Sequence, residues 1–192
     1  MFAAVATGLP LPMVPIQILW MNLVADGLPA LALGLDPKDS HIMERSPYPP
    51  GEGVFARGLG KNILVIGTEI GLVSLIIYLL GLFLGEGDIA TARTLVFTVL
   101  VVAQLFVIFE CRSEDLSPFN LGYFSNPHLL LSVIMTFFLQ LGVLYIPLFN
   151  ALFRTVPLNS FQWGMIASGW RVIWKGIKFH FFQPVWRLVW QR

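Results

Sequence analysis

Two oxygen-bearing side chains, Asn22 and Asp26, stand four residues apart inside an otherwise apolar run. In a helix that spacing stacks them one turn apart on one face. Gly27 and Pro29 follow at once. Proline removes a helical hydrogen bond and frees the carbonyl it would have paired with, and irregular backbone at membrane depth is tolerated where it lines a cavity and coordinates an ion. A carboxylate, an amide oxygen and backbone carbonyls together suit a hard cation such as calcium. The plainer alternative leaves Asp26 hydrogen-bonded and partly wet near a helix end, with Asn22 bonded to a neighbouring helix.

Two further polar side chains interrupt apolar runs, Glu69 and Gln104. Burying a charge in a spanning helix costs a few kcal/mol, so such residues are functional candidates by default. Gln104 is suited to bridging two helices or to offering one more oxygen. Glu69, about two turns after Lys61, fits a protonated or lysine-paired structural role. Gly67 with Gly71, and Gly81 with Gly85, form two G-x-x-x-G pairs that allow a neighbouring helix close approach. Cys111 is the one cysteine; it has no disulfide partner and reads as a structural thiol.

The elements that must position these residues follow from composition. Of 192 residues 56% are hydrophobic and 12% charged, about half the charge of an ordinary soluble domain. Runs of membrane-spanning length lie at about 16–35, 63–84, 94–109 and 129–149, with Pro147 kinking the last. A fifth run, 161–182, is rich in Trp163, Trp170 and Trp174 and also carries Arg171, Lys175 and Lys178. It fits either a short tilted span or a helix lying at the interface. Met1 heads a short apolar stretch that ends in the Gly8-Leu9-Pro10-Leu11-Pro12 turn, and the first basic residue is Lys38. That start reads as the end of a truncated membrane helix rather than a secretory signal. The fold class is therefore all-α: a polytopic transmembrane bundle of four to five spanning helices plus that truncated N-terminal helix end.

Basic residues mark cytoplasmic loops. Lys38, Arg45, Arg57 and Lys61 place the proline-rich segment 36–61 on that side, and alternation puts Cys111 to Pro127 and the C-terminal tail, with Arg187 and Arg192, there too. A net charge of +1 gives a nucleic-acid partner no electrostatic support. The lengths of the apolar runs argue against a soluble enzyme. The lipid bilayer is the first partner.

The stretch from Pro15 to Gly34, reading PIQILWMNLVADGLPALALG, closely resembles the sixth membrane helix of calcium-transporting P-type ATPases. The resemblance continues through Asp36-Pro37, Asn126-Pro127, Tyr145-Ile146-Pro147 and Phe153 to Leu158, and covers the family's last five helices. It implies that Asn22 and Asp26 are ion ligands, with Gln104 a marginal third. The transported substrate would be calcium or manganese, with ATP and magnesium acting only through domains outside this chain. Two-site members carry Thr and Glu where Ala25 and Gln104 stand here, which points to one site. No Asp-Lys-Thr-Gly-Thr phosphorylation motif occurs, so the chain is expected to need the N-terminal half of a pump as partner. In that family the glycine face of the second span packs on a preceding helix nearly absent here, and is expected to stand uncovered. An alternative from another class is a non-transporting membrane scaffold built on the same helices.

Overall fold

A computed structural model describes residues 1–36, 59–85, 87–112 and 125–189, with 51, 53 and 55 besides; side chains are described to residue 176. The expectations on Lys38, Arg45, Arg57, Lys178, Arg187 and Arg192 lie outside the described side chains. All regular structure among the described residues is helical. Four segments are long and apolar enough to cross a membrane: Pro15–Leu33, Leu59–Leu84, Ile89–Glu110 and Pro127–Tyr145.

A short helix α1 (Phe2–Ala6) precedes the first of these. The expected helix over 16–35 is present as Pro15–Leu33, right-handed throughout but not regular along its length. It consists of α2 (Pro15–Trp20), a widened π-helical turn (Met21–Asp26) and α3 (Gly27–Leu33). The cause is local: Pro29 has no N–H, so the Ala25 carbonyl, four residues back, loses the donor a regular helix would give it.

α4 (Leu59–Leu84) and α5 (Ile89–Glu110) form a hairpin. Gly87 takes a positive φ of 88° in the turn, and the carboxylate of Asp88 caps α5 by accepting from Ala90 N at 3.0 Å and Thr91 N at 3.2 Å. The glycine at 81 lets the helices touch, since a Cβ there would stand 3.0 Å from the Ala92 Cα. α5 is the central helix, packing on α4, on the widened turn and on the helices that follow. Its buried hydroxyls cost little, because Thr94 and Thr98 donate back to Ala90 O and Thr94 O at 2.8 Å.

The run expected at 129–149 is two helices, α6 (Pro127–Tyr145) and α7 (Pro147–Phe153), broken at Ile146. Pro147 deprives the Val143 carbonyl of its helical donor. Asn150 Nδ2 and Thr155 Oγ1 replace it, at 3.0 and 2.7 Å.

The fifth run is a helix, α8 (Ser160–Val189), and is not among the four apolar enough to span by composition. It nonetheless runs antiparallel along α4. Gly169 receives Ile77 and Val73, while the Glu69 carboxylate lies against Gly176 where a Cβ would collide with it. Ile166, Gly169, Ile173 and Gly176 thus recur at heptad spacing on the packed face. On α5 and α8, Phe106 stacks on Trp170 with ring centroids 3.8 Å apart.

Gly81→Ala is expected to lower the melting temperature of the chain in detergent although alanine is the better helix former. Gly67→Ala, whose methyl would meet nothing within 4 Å, serves as the control; equal melting temperatures would contradict the close contact. The Thr91 hydroxyl, and behind it the amides of Ala90 and Thr91, outweigh burial and hold the Asp88 carboxyl below its usual value. A lowered folded pKa stabilises above the unfolded value near pH 4 and is lost as pH falls through the folded one. Asp88→Ala should therefore cost about 1 kcal/mol at neutral pH, with the difference shrinking on acidification; a gap constant with pH would refute this.

Candidate functional site

The widened turn is where the sequence placed its chemistry. Ala25 is buried on α5, in one cluster with Val101 and Leu105, and this anchors the turn to the central helix. Asn22 and Asp26 lie on the turn's other side and are exposed, uncovered by any described residue. Among the described residues no side chain replaces the donor lost at the Ala25 carbonyl, in contrast to the repair made by Asn150 and Thr155 at Pro147. The turn thus presents a carboxylate and an amide on an open face. Such an oxygen set fits a hard divalent cation.

Gln104 is carried by α5 between Val101 and Leu105, which share a core cluster with Ala25. It is half-buried, and its Oε1 has no hydrogen-bond partner. The structure therefore brings Gln104 onto the helix that backs the turn. It does not bring together a closed shell: no group of three or more His, Cys, Asp or Glu that could hold a metal occurs among the described residues. Glu69 stands apart from the turn, at the α4–α8 contact against Gly176, in a packing role.

Both rims of the turn are tied to the bundle. On one side Trp20, the last residue of α2, donates its indole N–H to Gln140 Oε1 at 3.0 Å and meets Phe153 edge-on. One turn earlier Gln17 Nε2 donates to Phe153 O at 3.1 Å. On the other side Asn126 Nδ2 donates to Ala32 O at 3.1 Å and to Asp36 Oδ1 at 2.9 Å, while its own Oδ1 caps α6 by accepting from Leu129 N at 2.9 Å. Arg112, at the end of α5, pairs with the same Asp36 at 2.9 Å and donates to Ser125 Oγ at 2.7 Å. The Arg112 side chain is only 3% exposed, so this ion pair is shielded from water on its cationic side.

Gln17 and Gln140 were missed by the sequence reading, although each is an amide within an apolar run, the feature that singled out Gln104. The exposed glycine face at Gly67 and Gly71 has nothing within 4 Å of either position, as expected for an uncovered surface.

Residues 10–174 match the family model described as cation transporting ATPase, C-terminus. The chain is 42% identical over 168 residues to a calcium-transporting ATPase of Bacillus subtilis strain 168, a match covering 88% of this chain and 19% of that protein. It is 33% identical over 181 residues to calcium-transporting ATPase 1 of Bacillus cereus, covering 86% and 20%. With calcium-transporting ATPase 3, endoplasmic reticulum-type, of Arabidopsis thaliana, the identity is 31% over 189 residues, covering 84% and 19%. The chain spans about a fifth of the length of the curated relatives it matches. With the family model matched along most of its length, this multi-pass membrane chain belongs to the C-terminal region of the cation-transporting P-type ATPase family.

Proposed function

We propose that this chain contributes part of the intramembrane cation site of an ATP-driven pump, with Asp26 and Asn22 as ligands and Gln104 as a third, more distant oxygen. The observation that carries the reading is the widened turn, which ends three residues before Pro29 and sets Asn22 and Asp26 on one exposed face. Calcium or manganese is the transported ion, since carboxylate, amide and carbonyl oxygens suit both. The printed names of the relatives favour calcium.

A calcium ion takes six to eight oxygens, more than Asn22, Asp26 and Gln104 provide. The open side of the turn is where the remaining ligands would come from, on helices of the pump's N-terminal half. ATP and magnesium act in that half too, and this chain takes no part in hydrolysis. The C-terminal tail and the segment 36–61 face the cytoplasm on the distribution of basic residues.

Asp26→Asn in the complete pump that carries this chain should abolish cation uptake into vesicles, because it removes the charge with little change of shape, while expression and membrane insertion stay as in the wild type. Wild-type uptake by Asp26→Asn would remove Asp26 from the site.

A further inference from the structure

Gln140 is 1% exposed, and its two polar atoms differ: Oε1 accepts from Trp20, whereas Nε2 has no hydrogen-bond partner. One turn earlier on the same buried face of α6, Thr136 is wholly buried, and its Oγ1 is also without a partner. An unmade hydrogen bond on a buried group is costly, so an apolar side chain of similar size would pack at residue 140 more cheaply. What the amide supplies and an apolar group cannot is the bond to Trp20. Trp20 is the last residue before the widened turn.

The second tether on α6 is Asn126, which holds Ala32 O near the far end of α3, six residues past the turn. Fourteen residues separate Asn126 from Gln140, about 21 Å of helix at 1.5 Å per residue. Twelve residues separate Trp20 from Ala32, less than about 18 Å because the widened turn rises less per residue than a regular helix. The two tethers therefore hold the segment on either side of its turn, and they run in opposite order along the two antiparallel segments. Between them the turn touches the bundle through Met21 and Ala25, while Asn22 and Asp26 are exposed.

We infer that α6 is a splint for the broken helix, and that Gln140 and Asn126 are positioning residues whose bonds to Trp20 and Ala32 fix the separation of the rims and so set the cation affinity of a turn they do not touch. This rests on the reading of Asn22 and Asp26 as cation ligands. A widened turn has lost the stiffness of a regular hydrogen-bonded helix, and its ligand oxygens keep a fixed spacing only if its ends are held. Gln140 is the more informative of the two tethers. Asn126 also caps α6 and joins the Asp36–Arg112 pair, so its removal disturbs several things at once.

The test is calcium-dependent and manganese-dependent uptake by vesicles holding the complete pump, with Gln140→Met, Trp20→Phe, the double variant and Thr136→Val. Gln140→Met and Trp20→Phe should each raise the half-saturating cation concentration about tenfold, the scale seen for partners that orient metal ligands. Maximal rate should stay within about twofold, a split between affinity and turnover that general destabilisation would not produce. The double variant should be no worse than either single change, because both remove one bond. Thr136→Val, which deletes a buried hydroxyl without a bond to the turn, should leave affinity unchanged.

Unchanged half-saturation in Gln140→Met and Trp20→Phe, with Asp26→Asn inactive, would overturn the splint and leave the site standing. If Asp26→Asn also behaves as wild type, the site itself falls. A Gln140→Met pump that fails to reach the membrane leaves Trp20→Phe to decide, since phenylalanine keeps an aromatic ring toward Phe153 and removes the N–H together with the five-membered ring.

Discussion

Hydrocarbon offers no water to replace a missing backbone hydrogen bond, so a helix broken at membrane depth must have its ends held by protein. The rest of this chain is arranged around that constraint. Pro29 and the widened turn break the first spanning segment at Met21–Asp26, and α5, α6 and α7 supply the groups that hold its rims. The partners come from far along the chain: Trp20 bonds to Gln140, Gln17 to Phe153 and Ala32 to Asn126. The same problem is solved differently at Pro147, where Asn150 and Thr155 satisfy the freed carbonyl and the break carries no exposed carboxylate. One proline irregularity is capped by side chains, and the other lies beside an exposed carboxylate.

Close packing makes the platform for the open one. Gly81 brings α4 against Ala92 of α5, and Gly169 and Gly176 bring α8 against α4. Lipid tails are as apolar as leucine, so helix association in a bilayer depends on such close contacts rather than on burial from water. The result is a central α5 packed on most of its surface, with Ala25 seated on it. The backing of the turn is therefore stiffer than its open side, where Asn22 and Asp26 lie.

Much of this was legible in the sequence, and the reason is that the signals were local. The four spans follow from apolar runs, and the irregular turn from Asp26-Gly27 with Pro29. Helix ends were read short wherever polar residues joined the helix, as at Leu59–Asn62 and Ile89–Arg93. The charges at Arg171 and Lys175 leave a tilted span and an interfacial helix both open in the sequence; α8 packs along α4, its glycines on the contact face and both cations exposed. The tethers were not legible. Gln140 and Trp20 are 120 residues apart, and no local pattern pairs them.

The central claim is that the shape of the turn, and not merely the presence of Asn22 and Asp26, makes the cation site. The most direct measurement is calcium titration of the purified complete pump by calorimetry, comparing wild type with Pro29→Ala, which restores the missing N–H and keeps every ligand side chain. The account predicts that Pro29→Ala, free to close into a regular helix, loses calcium binding while its helix content and melting temperature hold or rise. Calcium binding at wild-type affinity by Pro29→Ala would contradict it.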